Sequence, residues 1–138
     1  SHAEIANYLT MALITKLASF LREEGLQDEQ QTPTLAAKAR ALIDKNYKEA
    51  IRLGDIATAT HTNAYYLSHL FKAEIGLSPM KYVILRRIGE AQNLLINTDM
   101  TITQIAAQVG YNNSNYFQNV FKGALDMTPG EYRRKWTV

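Results

Sequence analysis

The amino-acid sequence predicts an all-α fold in which one two-helix unit occurs twice. The second half of the chain repeats itself at an offset of fifty residues, which pairs segment 66–72 with 116–122 and Pro79 with Pro129. A shorter echo precedes each copy, over 53–57 and 102–106, at an offset of forty-nine residues. A fixed period indicates one structural unit built twice. Apolar residues at helical spacing, with capping residues at the ends, indicate that each unit is a pair of short helices.

The second copy shows these signals clearly. Thr101 is followed three residues later by Gln104, which is a capping-box start. Gly110 supplies the positive φ that a chain needs to leave the first helix, and Asn113 is a good N-cap for the next one. The apolar residues of the two helices fall at three- and four-residue steps: Ile102, Ile105, Ala106 and Val109, then Tyr116, Phe117, Val120 and Phe121.

The first copy follows the same plan with different turn residues. His61 occupies the turn position and tolerates the left-handed region better than most side chains. Asn63 caps a helix whose inner face carries Leu67, Leu70 and Phe71. Two short helices joined by a tight turn, the second with small polar residues on its outer face, form a helix-turn-helix pattern.

Over residues 36 to 134 the sequence resembles the DNA-binding domain of the AraC/XylS family of bacterial transcription regulators. The matching residues, in order, are Asn46-Tyr47, Tyr66-Leu67-Ser68, Leu70-Phe71-Lys72, Gly76, Ser78-Pro79, Tyr82, Arg87-Ile88, Ala91, Leu94-Leu95, Ile102, Ile105-Ala106, Gly110-Tyr111, Tyr116-Phe117, Phe121-Lys122, Pro129 and Tyr132-Arg133. The resemblance implies seven helices in two helix-turn-helix lobes joined by a long connecting helix. It places the helices at about 35–45, 53–75 (a pair), 80–97, 102–124 (a pair) and from 130 onward, within a domain spanning 35–138.

Composition agrees with this reading and excludes other classes. The 138 residues are 46% apolar and carry a net charge of +2, which suffices for one or two small cores, and no apolar run approaches the length of a membrane span. The absence of cysteine excludes disulfides and thiolate metal sites. Residues 1 to 34 carry a net −3, from two basic and five acidic residues, so the remainder carries +5. The basic part is the part that resembles a DNA-binding domain.

The N-terminal segment 1–34 is predicted to be a separate element. Apolar residues at helical steps indicate an amphipathic helix from Glu4 to Glu24, followed by a polar linker that contains Pro33. The opening Ser-His-Ala is typical of a cloning remnant, so we expect the chain to be a fragment. The helix could be the last element of an upstream effector or dimerisation domain, which would allow a homodimer, or it could pack on the DNA-binding lobes.

The residues expected to read bases lie on the outer face of the second helix of each pair. They are Ala64, Tyr65, Ser68 and His69 in the first copy and Ser114, Asn115, Gln118 and Asn119 in the second. Asn and Gln bind adenine bidentately, Ser accepts several partners, and Ala contacts a thymine methyl. The resemblance implies that these positions match the family's base-reading set. Family members often have arginine where this chain has His69 and Asn119, and glycine where it has Asp126.

Basic residues near these helices are expected to contact phosphates. The candidates are Lys72, Lys122, Arg86, Arg133 and Arg134. Arg87 is interpreted instead as a brace between the lobes, as the matching family arginine lies on the connecting helix. Aromatics at helical spacing are expected in the core, namely Tyr47, Tyr66, Phe71, Tyr82, Tyr116 and Phe121.

The sequence offers little support for an enzyme. Three histidines show no metal-ligand spacing, and there is no glycine-rich phosphate loop or serine in a nucleophile setting, so no catalytic residue, metal or cofactor is expected. A helical protein-interaction module is the alternative, disfavoured because solenoids need about three repeats. The expected function is transcription regulation, more often activation, through double-stranded promoter DNA and RNA polymerase, in the bacterial cytoplasm at the nucleoid and away from membranes.

Overall fold

The computed structural model describes residues 32 to 137 and, from the preceding segment, Lys16 alone. Over 32–137 the chain forms seven α-helices and no strand, which confirms the predicted all-α fold. The helix predicted from Glu4 to Glu24 lies outside the described residues apart from Lys16. In chain order the helices are α1 Leu35–Asn46, α2 Leu53–Ala59, α3 Ala64–Ile75, α4 Pro79–Asn97, α5 Ile102–Gln108, α6 Ser114–Leu125 and α7 Pro129–Trp136.

Asparagine side chains begin the two helices that follow the tight turns. Oδ1 of Asn63 accepts the backbone N–H of Tyr66 at 2.8 Å, and Oδ1 of Asn113 accepts that of Tyr116 at 2.9 Å. Each bond satisfies one of the N–H groups that have no partner within the helix. The start of both α3 and α6 is therefore fixed by a local signal that the sequence predicted.

The turns and the start of α5 also follow the predicted chemistry. The hydroxyl of Thr101 accepts from the N–H of Gln104 at 3.1 Å, and Oε1 of Gln104 accepts from the N–H of Thr101 at 2.9 Å, so the capping box is confirmed. His61 has φ 57° and Gly110 has φ 105°. Both turns thus leave the preceding helix through the left-handed region, one on a histidine and one on a glycine.

The buried side chains form two cores, and α4 contributes to both. The first lobe, comprising α1 to α3 and the start of α4, buries residues such as Ile43, Leu67 and Phe71. The second lobe, comprising the rest of α4 and α5 to α7, buries Phe117 and Phe121 in its core. The division falls within α4: Tyr82 and Val83 belong to the first core, and Ile88, Ala91 and Leu95 belong to the second.

Arg87 joins the two lobes at this division. Its Nε donates to the carbonyl of Tyr47 at 2.6 Å and its Nη2 donates to the carbonyl of Glu49 at 2.8 Å, both in the segment after α1. On the other side its guanidinium carbon lies 5.0 Å from the ring centroid of Tyr111, which is within cation–π range. The interpretation of Arg87 as a brace between the lobes is confirmed.

The backbones of the two lobes also meet directly at Gly110. A Cβ placed on Gly110 would lie 2.9 Å from the carbonyl oxygen of Lys48 and 3.1 Å from the Arg87 guanidinium. Only glycine fits both this contact and the positive φ. Nearby, Nζ of Lys48 lies 3.8 Å from Oε1 of Glu90 on α4.

The ends of α3 and α6 resolve the C-cap that the sequence left open at Asp126. Gly76 has φ 92° and its N–H donates to the carbonyl of Lys72 at 2.9 Å. Asp126 has φ 58° and its N–H donates to the carbonyl of Lys122 at 2.8 Å. Both helices end in the same left-handed C-cap, although the second uses a residue with a Cβ.

Candidate nucleic-acid interface

Helices α3 and α6 bury and expose the same positions over their first ten residues. In each, the fourth and eighth residues are buried, namely Leu67 and Phe71 in α3 and Phe117 and Phe121 in α6. The second, sixth and ninth residues are exposed in both helices. The duplication has therefore preserved the rotation of each helix on its core, so that each presents the same outward stripe while the side chains on that stripe differ.

The outward stripe of α3 is aromatic and basic. Tyr65 is 77% exposed, and its ring centroid lies 4.3 Å from that of His69, one turn later. Ala64 and Ser68 are half-buried at the side of this stripe, and Lys72 is exposed at its end. The contact between the two rings holds both side chains in one arrangement on the surface of the helix.

The outward stripe of α6 is made of amides. Asn115 and Asn119 are exposed one turn apart, at the positions that Tyr65 and His69 occupy in α3. Ser114 and Gln118 are half-buried beside them, and Nε2 of Gln118 donates to the hydroxyl of Ser114 at 3.3 Å. This bond orients the Gln118 amide and leaves its carbonyl oxygen and second N–H available to a partner.

Two residues assigned to the core by their spacing are not buried, and that assignment is wrong. Tyr66 is 54% exposed and Tyr116 is 59% exposed, at the same place in each helix. The next residue, Leu67 or Phe117, is fully buried, and adjacent helical positions point about 100° apart. Both cannot face the core, so the tyrosine stands at the edge of the outward stripe.

Tyr116 nevertheless has an aromatic neighbour within its own lobe. Its ring centroid lies 5.8 Å from that of Tyr111, which is buried. Burial raises the pKa of the Tyr111 hydroxyl, which therefore stays neutral in the physiological range. The ring of Tyr111 thus lies between an exposed residue of α6 and the guanidinium of Arg87.

The basic residues differ in what their charges contact. Lys72 and Lys122 are exposed at equivalent positions of α3 and α6, and Arg134 is exposed on α7. Arg133 instead donates from Nε to the carbonyl of Leu95 at 3.0 Å and from Nη2 to that of Thr98 at 3.2 Å. A cation at these carbonyls stabilises the C-terminus of α4.

Arg86 also has partners inside the protein. Its Nε lies 3.1 Å from Oδ1 of Asp44, and its guanidinium carbon lies 4.9 Å from the ring centroid of Tyr47. Sequence reasoning had no signal for these contacts or for those of Arg133, because the partners lie about 35 to 40 residues away in the chain. Both side chains are half-buried.

The described part of the chain contains no group of three His, Cys, Asp or Glu residues that could hold a metal ion. None of its helices is long and apolar enough to cross a membrane. The prominent surface feature of these residues is the pair of matched stripes on α3 and α6, with a lysine at the end of each.

Comparison with known proteins identifies the source of this arrangement. A family model described as a helix-turn-helix domain matches residues 56–135. The chain belongs to the AraC family of transcription regulators. The match covers both helix-turn-helix units and the connecting helix, so the duplication is the family's own architecture.

Similar proteins of known sequence are HTH-type transcriptional regulators from bacteria. YfiF of Bacillus subtilis, described as an uncharacterised HTH-type transcriptional regulator, is 30% identical over 94% of this chain and 43% of its own length. The lactose operon transcription activator of Staphylococcus xylosus is 32% identical over 70% of this chain and 34% of its own length. The chain thus spans less than half the length of these relatives.

Solved structures show the same fold. The C-terminal domain of AraT, a response regulator from Geobacillus stearothermophilus, has a TM-score of 0.74 and 31% identity, covering 80% of this chain and 91% of that one. The DNA-binding domain of AdpA, solved in complex with a target DNA, has a TM-score of 0.71 at 21% identity, covering 77% of this chain and 94% of that one. At that identity the AdpA likeness shows the fold alone.

Proposed function

We propose that this chain is the DNA-reading part of a transcription regulator and inserts α3 and α6 into successive major-groove segments of promoter DNA. The supporting observation is the matched burial of the two helices, which leaves the same positions outward in each. A major groove admits one α-helix, and side chains near the N-terminus of that helix reach base edges. One subunit would then read two half-sites without a dimer.

The proposed base-reading residues are the outward and flanking positions of the two stripes. They are Ala64, Tyr65, Ser68 and His69 on α3 and Ser114, Asn115, Gln118 and Asn119 on α6. The stripes differ in chemistry, since one presents two rings and the other presents amides that donate and accept hydrogen bonds. The two half-sites should therefore differ in sequence.

The proposed phosphate contacts are Lys72, Lys122 and Arg134, which are exposed. Lys72 and Lys122 lie in the last part of α3 and α6, where they can reach the backbone that flanks the groove. For Arg86 and Arg133, a phosphate contact would have to come from N–H groups that do not bind their protein partners. Their principal role in this proposal is to hold α4 against α1 and α7.

We propose activation as the regulatory outcome, in keeping with the relative that is described as an activator. RNA polymerase would be the second partner, in the bacterial cytoplasm at the nucleoid. The domain spanning 35–138 would carry the DNA contacts, and segment 1–34 would belong to an upstream effector or dimerisation domain.

Selection of binding sites from randomised duplex DNA tests this function. We expect two conserved blocks whose centres lie about 34 Å apart, which is one helical turn. Asn115→Ala should relax the bases of one block, and His69→Ala should relax the other, with a loss of about 1–3 kcal/mol at each altered base contact. Lys45→Ala, at the end of α1 and outside both stripes, serves as a control that leaves both blocks unchanged.

Selection of one block, or relaxation of the same bases by both variants, would contradict two-site reading. A protein-interaction module of the same shape would enrich no sequence and would leave labelled DNA unshifted at low salt.

A further inference from the structure

Two adjacent arginines lie where α4 passes from one core to the other, and they differ in what they join. Arg86 pairs with Asp44 and lies over the ring of Tyr47, both in the first lobe. Arg87 binds the carbonyls of Tyr47 and Glu49 in the first lobe and also lies against a ring of the second.

The second-lobe ring against Arg87 belongs to Tyr111, in the turn that aims α6. The centroid of Tyr111 lies 5.0 Å from the Arg87 guanidinium carbon, 5.8 Å from the Tyr116 centroid and 5.6 Å from the Phe117 centroid. Both of the latter residues are in the first turn of α6. A continuous set of contacts therefore runs from the first lobe, through one guanidinium, to the base-reading end of the second recognition helix.

The same turn touches the first lobe through its backbone. Gly110 leaves no space between its Cα and the carbonyl of Lys48, because a Cβ there would lie 2.9 Å from that oxygen. Close-packed interfaces of this kind resist small displacements. The angle and distance between α3 and α6 are thus set at a junction that contacts no base.

We propose that Arg87 is a positioning residue that fixes the separation of the two recognition helices, and so makes DNA binding depend sharply on the number of base pairs between the half-sites. This inference rests on the proposed function, since it requires two half-sites. Inserting one base pair moves the second half-site by about 3.4 Å and rotates it by about 34°. Hydrogen bonds to base edges do not survive a displacement of that size.

The test measures the affinity of the full chain for duplexes that carry both selected half-sites at the selected separation, or with one base pair inserted or deleted. We expect either change to weaken wild-type binding at least about 30-fold, as loss of several base contacts would. In Arg87→Met the penalty for the inserted or deleted base pair should fall below about 3-fold, while affinity at the selected separation falls about 10-fold.

Arg86→Met is the matched control, because it removes the same charge from the neighbouring position and leaves the second-lobe contact in place. It should keep the wild-type spacing penalty. Both variants should bind a duplex with a single half-site as wild type does, so a general loss of structure would be visible there. If Arg87→Met does not fold, Tyr111→Leu removes the ring beneath Arg87, retains an apolar side chain, and should relax the spacing in the same way.

Wild-type protein that tolerates the inserted base pair within about 3-fold would overturn the proposal without any variant. An unchanged spacing penalty in Arg87→Met would also overturn it, and would leave Arg87 as a purely structural brace. Two selected half-sites with a tolerant separation would contradict this inference alone. Selection of a single half-site would contradict the proposed function as well.

Discussion

The hydroxyl of Tyr82 donates a hydrogen bond to Oδ1 of Asp44 at 2.7 Å, which ties the start of α4 to the end of α1. Burial raises the pKa of Tyr82, and the hydrogen bond to the Asp44 carboxylate raises that pKa further. The equivalent residue of the second copy, Tyr132, instead accepts a bond from Nε2 of Gln92 at 3.2 Å. The coupling of a tyrosine to a carboxylate is therefore specific to the first lobe among these two positions.

Tyr82→Phe should lower the free energy of unfolding by about 1 kcal/mol near pH 7, because the hydrogen bond to Asp44 is lost. A raised folded-state pKa means that the contribution is complete below the ordinary tyrosine pKa of about 10 and is lost as pH rises above it, since the unfolded chain ionises first. The difference between wild type and variant should thus narrow above about pH 10. Urea unfolding from pH 8 to 11 measures it, and a constant difference would contradict the assignment.

Asp126→Gly should stabilise the protein. Asp126 holds a left-handed C-cap at φ 58°, where a side chain costs free energy that glycine avoids. We expect a gain of about 0.5–1 kcal/mol, seen as a higher Tm. The control is the equivalent cap: Gly76→Ala, at φ 92°, should destabilise by about 1–2 kcal/mol. A fall in Tm for Asp126→Gly would show that the aspartate side chain contributes more than its backbone strain removes.

Tyr116→Ala should have little effect on folding although its neighbour is a core residue. Phe117 is fully buried, so Phe117→Ala should cost about 3–5 kcal/mol. Tyr116 is 59% exposed, and its replacement should cost about 1 kcal/mol or less. Thermal unfolding of the pair, and of Tyr66→Ala against Leu67→Ala in the first copy, provides the measurement. Comparable losses for both members of a pair would restore the tyrosines to the core.

Local signals in the sequence were sufficient for most of the fold. The caps at Asn63 and Asn113, the capping box at Thr101 and the turn at Gly110 involve residues within a few positions of each other, so a linear pattern contains them. The error at the exposed tyrosines arose because an apolar periodicity locates a helix face only to within one residue on either side.

The site was harder to predict because charge assignments depend on contacts across the fold. Arg133 looked equivalent to Arg134 in sequence, but its guanidinium reaches carbonyls of Leu95 and Thr98, which the chain folds into place from far away. A lone basic residue does not indicate which partner it will find. The stripes themselves were predictable, because they are the positions that remain once the buried face is removed.

The exposed lysines at the ends of the stripes should control the salt dependence of binding. If each contacts one phosphate, Lys72→Ala and Lys122→Ala should each reduce the slope of log K against log salt by roughly 1, on specific and random DNA alike. Arg133→Met should change the slope less than Arg134→Met, because its donors bind the end of α4. Titrations at several salt concentrations give the slopes, and identical slopes for wild type and both lysine variants would exclude these phosphate contacts.

The bond between Gln118 and Ser114 predicts that the two residues read bases as a unit. Nε2 of Gln118 donates to the Ser114 hydroxyl at 3.3 Å, which fixes the direction of the remaining amide donor and acceptor. Ser114→Ala should therefore weaken discrimination at the base pair that Gln118 contacts, and the double variant should lose less than the two single losses added together. A coupling of about 0.5–3 kcal/mol is expected for residues in one hydrogen-bond network. Tyr65→Ala combined with Gln118→Ala is the control, since these residues lie on different recognition helices and their effects should add. Affinities measured on matched and mismatched duplexes complete both cycles, and additive losses for Ser114 and Gln118 would mean that each residue meets the DNA independently.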